Sequence, residues 1–220
     1  MKERLVLDDL LVAHAAGKLE EPVALLVATH LALNPASRRR YEHYEAVAGM
    51  LLEGLEPCGM APSALAATLA RIEQRAADRQ TPSGVEAAVP APRRRRWPAP
   101  LCNYLPDDLQ ELRWHGFSGA REAEVLPDHD GYRARLLWVR AGRAVPAHTH
   151  EGEELTLVLE GSFRDASGHY RPGDIEIADD SVDHRPVADP GADCVCLAVT
   201  NAPLRLTGPI GRLLNPFVRI

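Results

Sequence analysis

Residues 148–154 read His148-Thr-His150-Glu-Gly-Glu-Glu154. On an extended strand, positions i, i+2 and i+6 point to one face, so the two imidazoles and the last carboxylate can converge on a single point. Neutral imidazole with carboxylate is the ordinary ligand set for zinc, iron, manganese, nickel or cobalt. A fourth candidate, His184, arrives a strand or two later, after the turn signal Arg171-Pro-Gly-Asp174. A lone histidine on a strand is usually a satisfied polar residue. A His-x-His pair with a same-face Glu, framed by Gly142 and Gly161, is much harder to reach by accident.

Such side chains need strands to hold them, and the second half of the chain supplies these. From Leu112 onward short apolar runs alternate with Gly, Pro, Asn and Asp, giving expected strands at Tyr132–Val139, Glu154–Leu159, Ile175–Ile177 and Cys194–Val199, an all-β pattern. Leu155, Leu157 and Leu159 face away from the Glu154 side, so that strand must pack against another layer or a second subunit.

The first half has helical periodicity instead. Leu7, Leu10, Leu11 and His14 share one stripe, which Gly17 closes. Pro22 opens a second helix with Val23, Leu26, Val27 and His30 in line. Asn34-Pro35 reads as N-cap and first helical residue of a third, with Tyr41, Tyr44, Ala48 and Leu51 expected inward. A fourth starts near Pro62-Ser63 and shows Leu65, Leu69 and Ile72. Four short helices make a small bundle with a modest core. Between the halves, Pro82, Pro90, Pro92, Pro98, Pro100 and Arg93–Arg96 mark an extended, solvated linker. The expected division is therefore a helical domain over 1–76, a linker over 77–106 and a β-domain over 107–220, an α+β chain.

Composition narrows the functions. A formal net charge of −6 argues against direct nucleic-acid binding. No apolar run is long enough to span a membrane, and the acidic start lacks the apolar core of a signal peptide, so a cytoplasmic location is expected. Four cysteines, none in a Cys-x-x-Cys pair, form no disulfide framework. Cys194 and Cys196 read as small core residues on a strand.

The stretch Gly142, five residues, His-x-His, three residues, Glu, six residues, Gly161 resembles the first cupin motif, and Gly173 to His184 the second, with Asp179, Ser181 and Ala188 in place of its Pro, Gly and Asn. The resemblance implies a jelly-roll barrel with one ion on His148, His150, Glu154 and His184. The segment from Leu25 to Ser37 and the tail from Leu204 to Phe217 are similar to those of the ChrR family of anti-sigma factors. In that family a helix carries His, three residues, Cys, two residues, Cys. Here His30 is kept, while Asn34 and Ser37 stand at the cysteine positions. Asn and Ser are poor zinc ligands beside thiolate, so the N-terminal zinc site is expected to be absent. His14 and His30, both on apolar stripes, are then expected to meet as a buried hydrogen-bonded pair, and His43 is off-stripe.

This resemblance implies a negative regulator of transcription. Its helices would bind and inhibit an extracytoplasmic-function sigma factor, and its cupin would act as sensor with one divalent ion, zinc first, then iron, manganese or nickel. A small-molecule ligand in the cupin and a homodimer through it are further expectations. The rival readings are a dioxygenase-like cupin enzyme and a plain binding module. Against the enzyme, aromatic content is only 5% and the arginines outside the linker run look dispersed, with no substrate clamp.

Overall fold

The structure is a computed structural model that describes residues 2–79, 96–117 and 119–207. Pro82, Pro90, Pro92 and Arg93–Arg95 of the expected linker, and the tail beyond 207, lie outside the described residues. Four helices come first: α1 (Lys2–Ala15), α2 (Glu21–Leu33), α3 (Pro35–Glu53) and α4 (Ala64–Arg79). A single turn, α5 (Ala99–Cys102), precedes the strands. Contacts divide the chain into two compact units, residues 1–48 with 95–220, and residues 49–94. Helices α1 and α2 thus belong to the same unit as the β-domain, whereas the division expected above follows sequence character.

Helix α2 is apolar all round, as a helix covered on two sides must be. Val27 and Leu31 pack with Leu11 of α1, with Tyr41 and Tyr44 of α3 at the edge. Val23, Leu25 and Leu26 join the main core instead. Helix α3 starts as its cap residue dictates: Asn34 Oδ1 accepts from the N–H groups of Ala36 and Ser37, both at 3.1 Å.

The strands are β1 (His115–Phe117), β2 (Ala120–His129), β3 (Tyr132–Val139), β4 (His148–His150), β5 (Glu154–Glu160), β6 (Phe163–Arg164), β7 (His169–Tyr170), β8 (Ile175–Ala178), β9 (Val187–Ala188), β10 (Cys194–Thr200) and β11 (Leu204–Leu206). They form a six-stranded sheet in the order β1-β2-β3-β10-β5-β8, a pair β11-β4 and a triplet β7-β6-β9. All pairings are antiparallel. The four expected strands are present within a residue of their bounds.

One face of the large sheet carries Leu136, Leu155, Leu157, Leu159, Val195, Leu197 and Val199, which pack with Val23 and Leu26 of α2 and Leu101 of α5. The layer that β5 requires is therefore supplied by helices of its own chain. The opposite face turns Val139, Val158, Cys194 and Cys196 toward Phe163, Tyr170 and Ala188 of the small sheet. Cys194 and Cys196 are free thiols, both buried. Gly161 ends β5 at φ +67°, and a Cβ there would lie 2.3 Å from the Asp193 carbonyl oxygen, so only glycine fits this turn.

The inward assignment fails for part of the helical half. Leu51 is 71% exposed, and Leu65, Leu69 and Ile72 on α4 are 69%, 50% and 58% exposed. Periodicity reported an apolar face correctly, but an apolar face does not say what covers it. No helix among the described residues is long and apolar enough to cross a membrane.

Candidate metal centre

The β11-β4 pair, the start of β5 and the loop before β9 bring the four expected residues together. His148 and His150 sit at the two ends of β4, and Glu154 opens β5. His184 is held opposite by a bridge in which the backbone N–H groups of His148 and His184 each donate to the other's carbonyl at 3.0 Å. His148, His150 and His184 are 4%, 2% and 3% exposed. One ligand atom from each of the four lies within 4.8 Å of all the others.

The atoms that converge are the ring Nε2 nitrogens. His184 Nε2 is 3.1 Å from His148 Nε2 and 3.3 Å from His150 Nε2, and His150 Nε2 is 3.1 Å from Glu154 Oε2. Ligands about 2.0–2.1 Å from a common cation stand roughly 3.0–3.4 Å apart, so these separations fit a shared ion. The other ring nitrogens of His148 and His184 are engaged, while His150 Nδ1 is buried without a partner. His148 Nδ1 donates to the Pro146 carbonyl at 2.8 Å, and His184 Nδ1 donates to Glu176 at 3.0 Å and Asp165 at 3.2 Å. Those bonds fix the proton on Nδ1 and leave the Nε2 lone pairs facing one another. Lone pairs at that distance repel unless a cation or a proton lies between them, so the donor set suits a divalent ion.

The electrostatics agree. Burial pushes His148 down to about 4, well below the ordinary 6.5, with the nearby His184 and His150 adding to the shift. Burial would raise Glu154, yet the hydrogen bond and charge of His150, with His148 and His184 behind it, hold it below the usual carboxylate range. Burial opposes the charge on His184 too, but Glu176, Glu154 and Asp165 together raise it. Glu176 is pushed up to about 7 by burial and by the Asp165 carboxyl beside it, against the pull of His184.

Asp165 and Glu176 were not anticipated. Their side chains are 0% and 4% exposed, and with His184 they form a second cluster. The signal was present: Glu176 is a lone carboxylate between isoleucines on β8, and it pairs across the sheet with Thr156 of β5. A cavity of about 250 Å³ adjoins the ligands, walled by Leu137, Val139, Phe163, Leu204 and Leu206 and reached by His148, Glu154 and His184.

The other histidines go elsewhere. His14 stacks at a tilt on Tyr41, ring centroids 5.4 Å apart. His30 Nδ1 donates instead to the Gly173 carbonyl at 2.8 Å. The expected His14–His30 pair is therefore not formed, because α2 turns His30 toward the β-domain rather than toward α1. Asn34 Nδ2 reaches the same Gly173 carbonyl at 3.5 Å. Among the described residues, His14, His30 and His43 belong to no cluster of metal-ligand type.

A two-layered antiparallel barrel with three inward imidazoles and one carboxylate defines a cupin, here backed by helices. Residues 107–203 match the family model of the ChrR cupin-like domain. The anti-sigma-E factor ChrR of Cereibacter sphaeroides is 44% identical over 215 residues, 98% of this chain and 97% of that one. The crystal structure of Rhodobacter sphaeroides SigE in complex with the anti-sigma ChrR superposes with a TM-score of 0.71 at 42% identity, covering 88% of this chain and 96% of that chain. The chain belongs to the ChrR family of anti-sigma factors.

Proposed function

We propose that this chain binds an extracytoplasmic-function sigma factor through α3 and α4 and holds it inactive. In this reading the barrel, with one divalent ion, zinc, on His148, His150, Glu154 and His184, governs release. The observation that carries the reading is the uncovered apolar surface of the 49–94 unit. Met50, Leu51, Leu52, Leu55, Leu65, Leu69 and Ile72 are each 50–72% exposed. Each such side chain contributes about 1.5–3 kcal/mol when fully covered, so a partner has much to gain there. The ChrR relative is seen in complex with SigE, which supplies the kind of partner.

The sensor half of the proposal rests on a short run of contacts. His30 and Asn34 at the end of α2 hold the Gly173 carbonyl. Gly173 lies two residues before β8, which carries Glu176, and Glu176 holds His184. A change at the ligands can thus reach the helices through one turn and one strand. The cavity beside the ligands favours a second element of this reading, a small molecule taken up by the barrel.

The test is co-expression with each extracytoplasmic-function sigma factor of the same organism in turn, followed by size-exclusion chromatography. One of them co-elutes with this chain, and Leu65→Asp with Leu69→Asp abolishes co-elution while leaving the fold intact. Separate elution of every unaltered pair removes the regulator reading.

A further inference from the structure

The arginines that look dispersed in sequence are gathered by the fold. An open groove of about 800 Å³ runs along the end of the large sheet, with Arg121, Arg140 and Arg143 on its walls and Gly119, Ala120 and Ala141 among the small residues lining it. Arg121 of β2 stands across from Trp138 of β3. Its guanidinium lies 4.6 Å from the Trp114 ring and 4.7 Å from the Trp138 ring. Arg96 takes a further place at Trp138, 5.1 Å from the ring centre, and pairs with Glu160.

Among the described residues lining this groove, arginines outnumber carboxylates. Its one carboxylate, Asp193, already accepts from Trp138 Nε1 at 2.9 Å and from the Ala141 N–H at 3.0 Å. Among the described residues, no carboxylate or carbonyl accepts a hydrogen bond from the guanidinium of Arg121 or Arg140, and the Arg140 backbone N–H donates to the Gly119 carbonyl. A stacked guanidinium keeps its N–H fork in plane and has less entropy to lose when it meets an oxyanion. Here the stacking is built in, while Asp193, whose charge both guanidiniums already feel, has its oxygens engaged by Trp138 and Ala141. This holds in a chain whose net charge is −6, so the groove is a local reversal of sign.

The shape selects among anions. The groove is long and open, and its guanidiniums come from two different strand ends, so they do not cradle one small ion. Small lining residues admit the backbone of an extended chain. The Trp138 ring is already taken up by Arg96 and Arg121, which leaves no platform for a nucleobase. We infer that this groove is a docking site for an extended acidic polypeptide segment, whose Asp or Glu carboxylates take the guanidiniums of Arg121 and Arg140. It lies outside the ligand cluster and does not depend on the sigma-factor reading. Such a contact speeds encounter and selects partners by charge more than it adds affinity.

The probe is fluorescein-labelled octaglutamate, titrated by anisotropy into the full-length, metal-loaded protein. Of the chain's three tryptophans, Trp97, Trp114 and Trp138, Trp138 lines the groove and Trp114 lies against Arg121, so intrinsic fluorescence gives a second readout. Octaglutamate binds and shifts that fluorescence, octaglutamine does neither, and binding weakens steeply with salt. Arg140→Glu, at an exposed position, weakens binding at least tenfold with an unchanged melting temperature, and Arg121→Ala with Arg140→Ala does the same or more. Equal binding by Arg140→Glu overturns the inference. So does competition by inorganic phosphate at the same molar concentration as octaglutamate, which marks a small-anion site instead. Loss of sigma co-elution with octaglutamate binding intact leaves this inference standing, so the two fail separately.

Discussion

Removing the carboxylates behind His184 tests whether the ligand set is held ready by its surroundings. His184 Nδ1 has two acceptors, Glu176 at 3.0 Å and Asp165 at 3.2 Å, and its imidazole is 1% exposed. A hydrogen bond to a charged group is worth about 1.5–3 kcal/mol. Glu176→Ala deletes one acceptor and leaves the other, so the ring loses roughly 1.5 kcal/mol of orientation. At about 1.4 kcal/mol per decade this is near tenfold in metal affinity. Asp165→Ala with Glu176→Ala leaves the Nδ1 proton unclaimed, and the tautomer with its proton on Nε2, which blocks ligation, becomes accessible. The loss then approaches or passes a hundredfold, the upper end for such outer groups. Glu176→Gln is the control: its carbonyl still accepts from Nδ1 and its amide donates to Asp165, so affinity stays within about threefold. The assay is competition with a chromophoric zinc chelator on the full-length protein, with melting temperature read in parallel. If the folded double variant holds zinc as tightly as the unaltered protein, the Nδ1 contacts do not set the site.

Two further outcomes follow from the same geometry. In metal-stripped protein, native His148 titrates at about 4 against an unfolded value near 6.5, so the unfolded chain binds the extra proton between those values and stability falls with pH across that window, by up to roughly 3 kcal/mol. Glu176, raised to about 7, acts oppositely: it stabilises fully below about 4.5, and that contribution is lost as pH rises through 7. Urea midpoints of the metal-free protein should therefore stay nearly level from pH 6.5 to 4.5, whereas those of Glu176→Gln fall; parallel curves refute the assignment. His30→Ala removes the 2.8 Å bond to the Gly173 carbonyl and opens a cavity at a residue that is 1% exposed. Because His30 Nε2 is itself buried without a partner, part of the loss is offset, and urea denaturation should show about 2 kcal/mol at constant slope.

The strands were legible from a period of two, and the convergence of His148, His150, Glu154 and His184 from the spacing of a known motif. His148 and His150 keep that period on β4, but the strand breaks after His150 and Glu154 opens β5 in another sheet, so the bend at 151–153 rather than one continuous strand brings the carboxylate to the imidazoles; β3, β5, β8 and β10 are bounded by turn residues that announce themselves. The destination of each apolar face was less legible. Leu155, Leu157 and Leu159 demanded a covering layer, but nothing in their spacing named α2. Leu65, Leu69 and Ile72 gave an equally good stripe and are exposed. A stripe records that burial occurs somewhere, in the chain or in a complex, and periodicity is blind to which. The arginine groove was hidden for a related reason: Arg121 and Arg140 are far apart along the chain and meet only through the β2–β3 register.

The fate of His30, Asn34 and Ser37 shows how this chain can dispense with thiolates at that point. A metal there would tie the end of α2 to the start of α3. Asn34 does this without one, since its side-chain oxygen holds the N–H groups of Ala36 and Ser37, and Ser37 is 3% exposed. His30 is released from ligation and spends its Nδ1 on Gly173. Gly173 has φ +90°, and a Cβ there would come within 3.4 Å of Leu33, so the turn and the helix are fitted to each other. At this turn the helices and the barrel meet through a hydrogen bond and a close packing contact, both of order 1–3 kcal/mol, beside the apolar face that α2 buries on the large sheet. That is the size of an allosteric coupling energy.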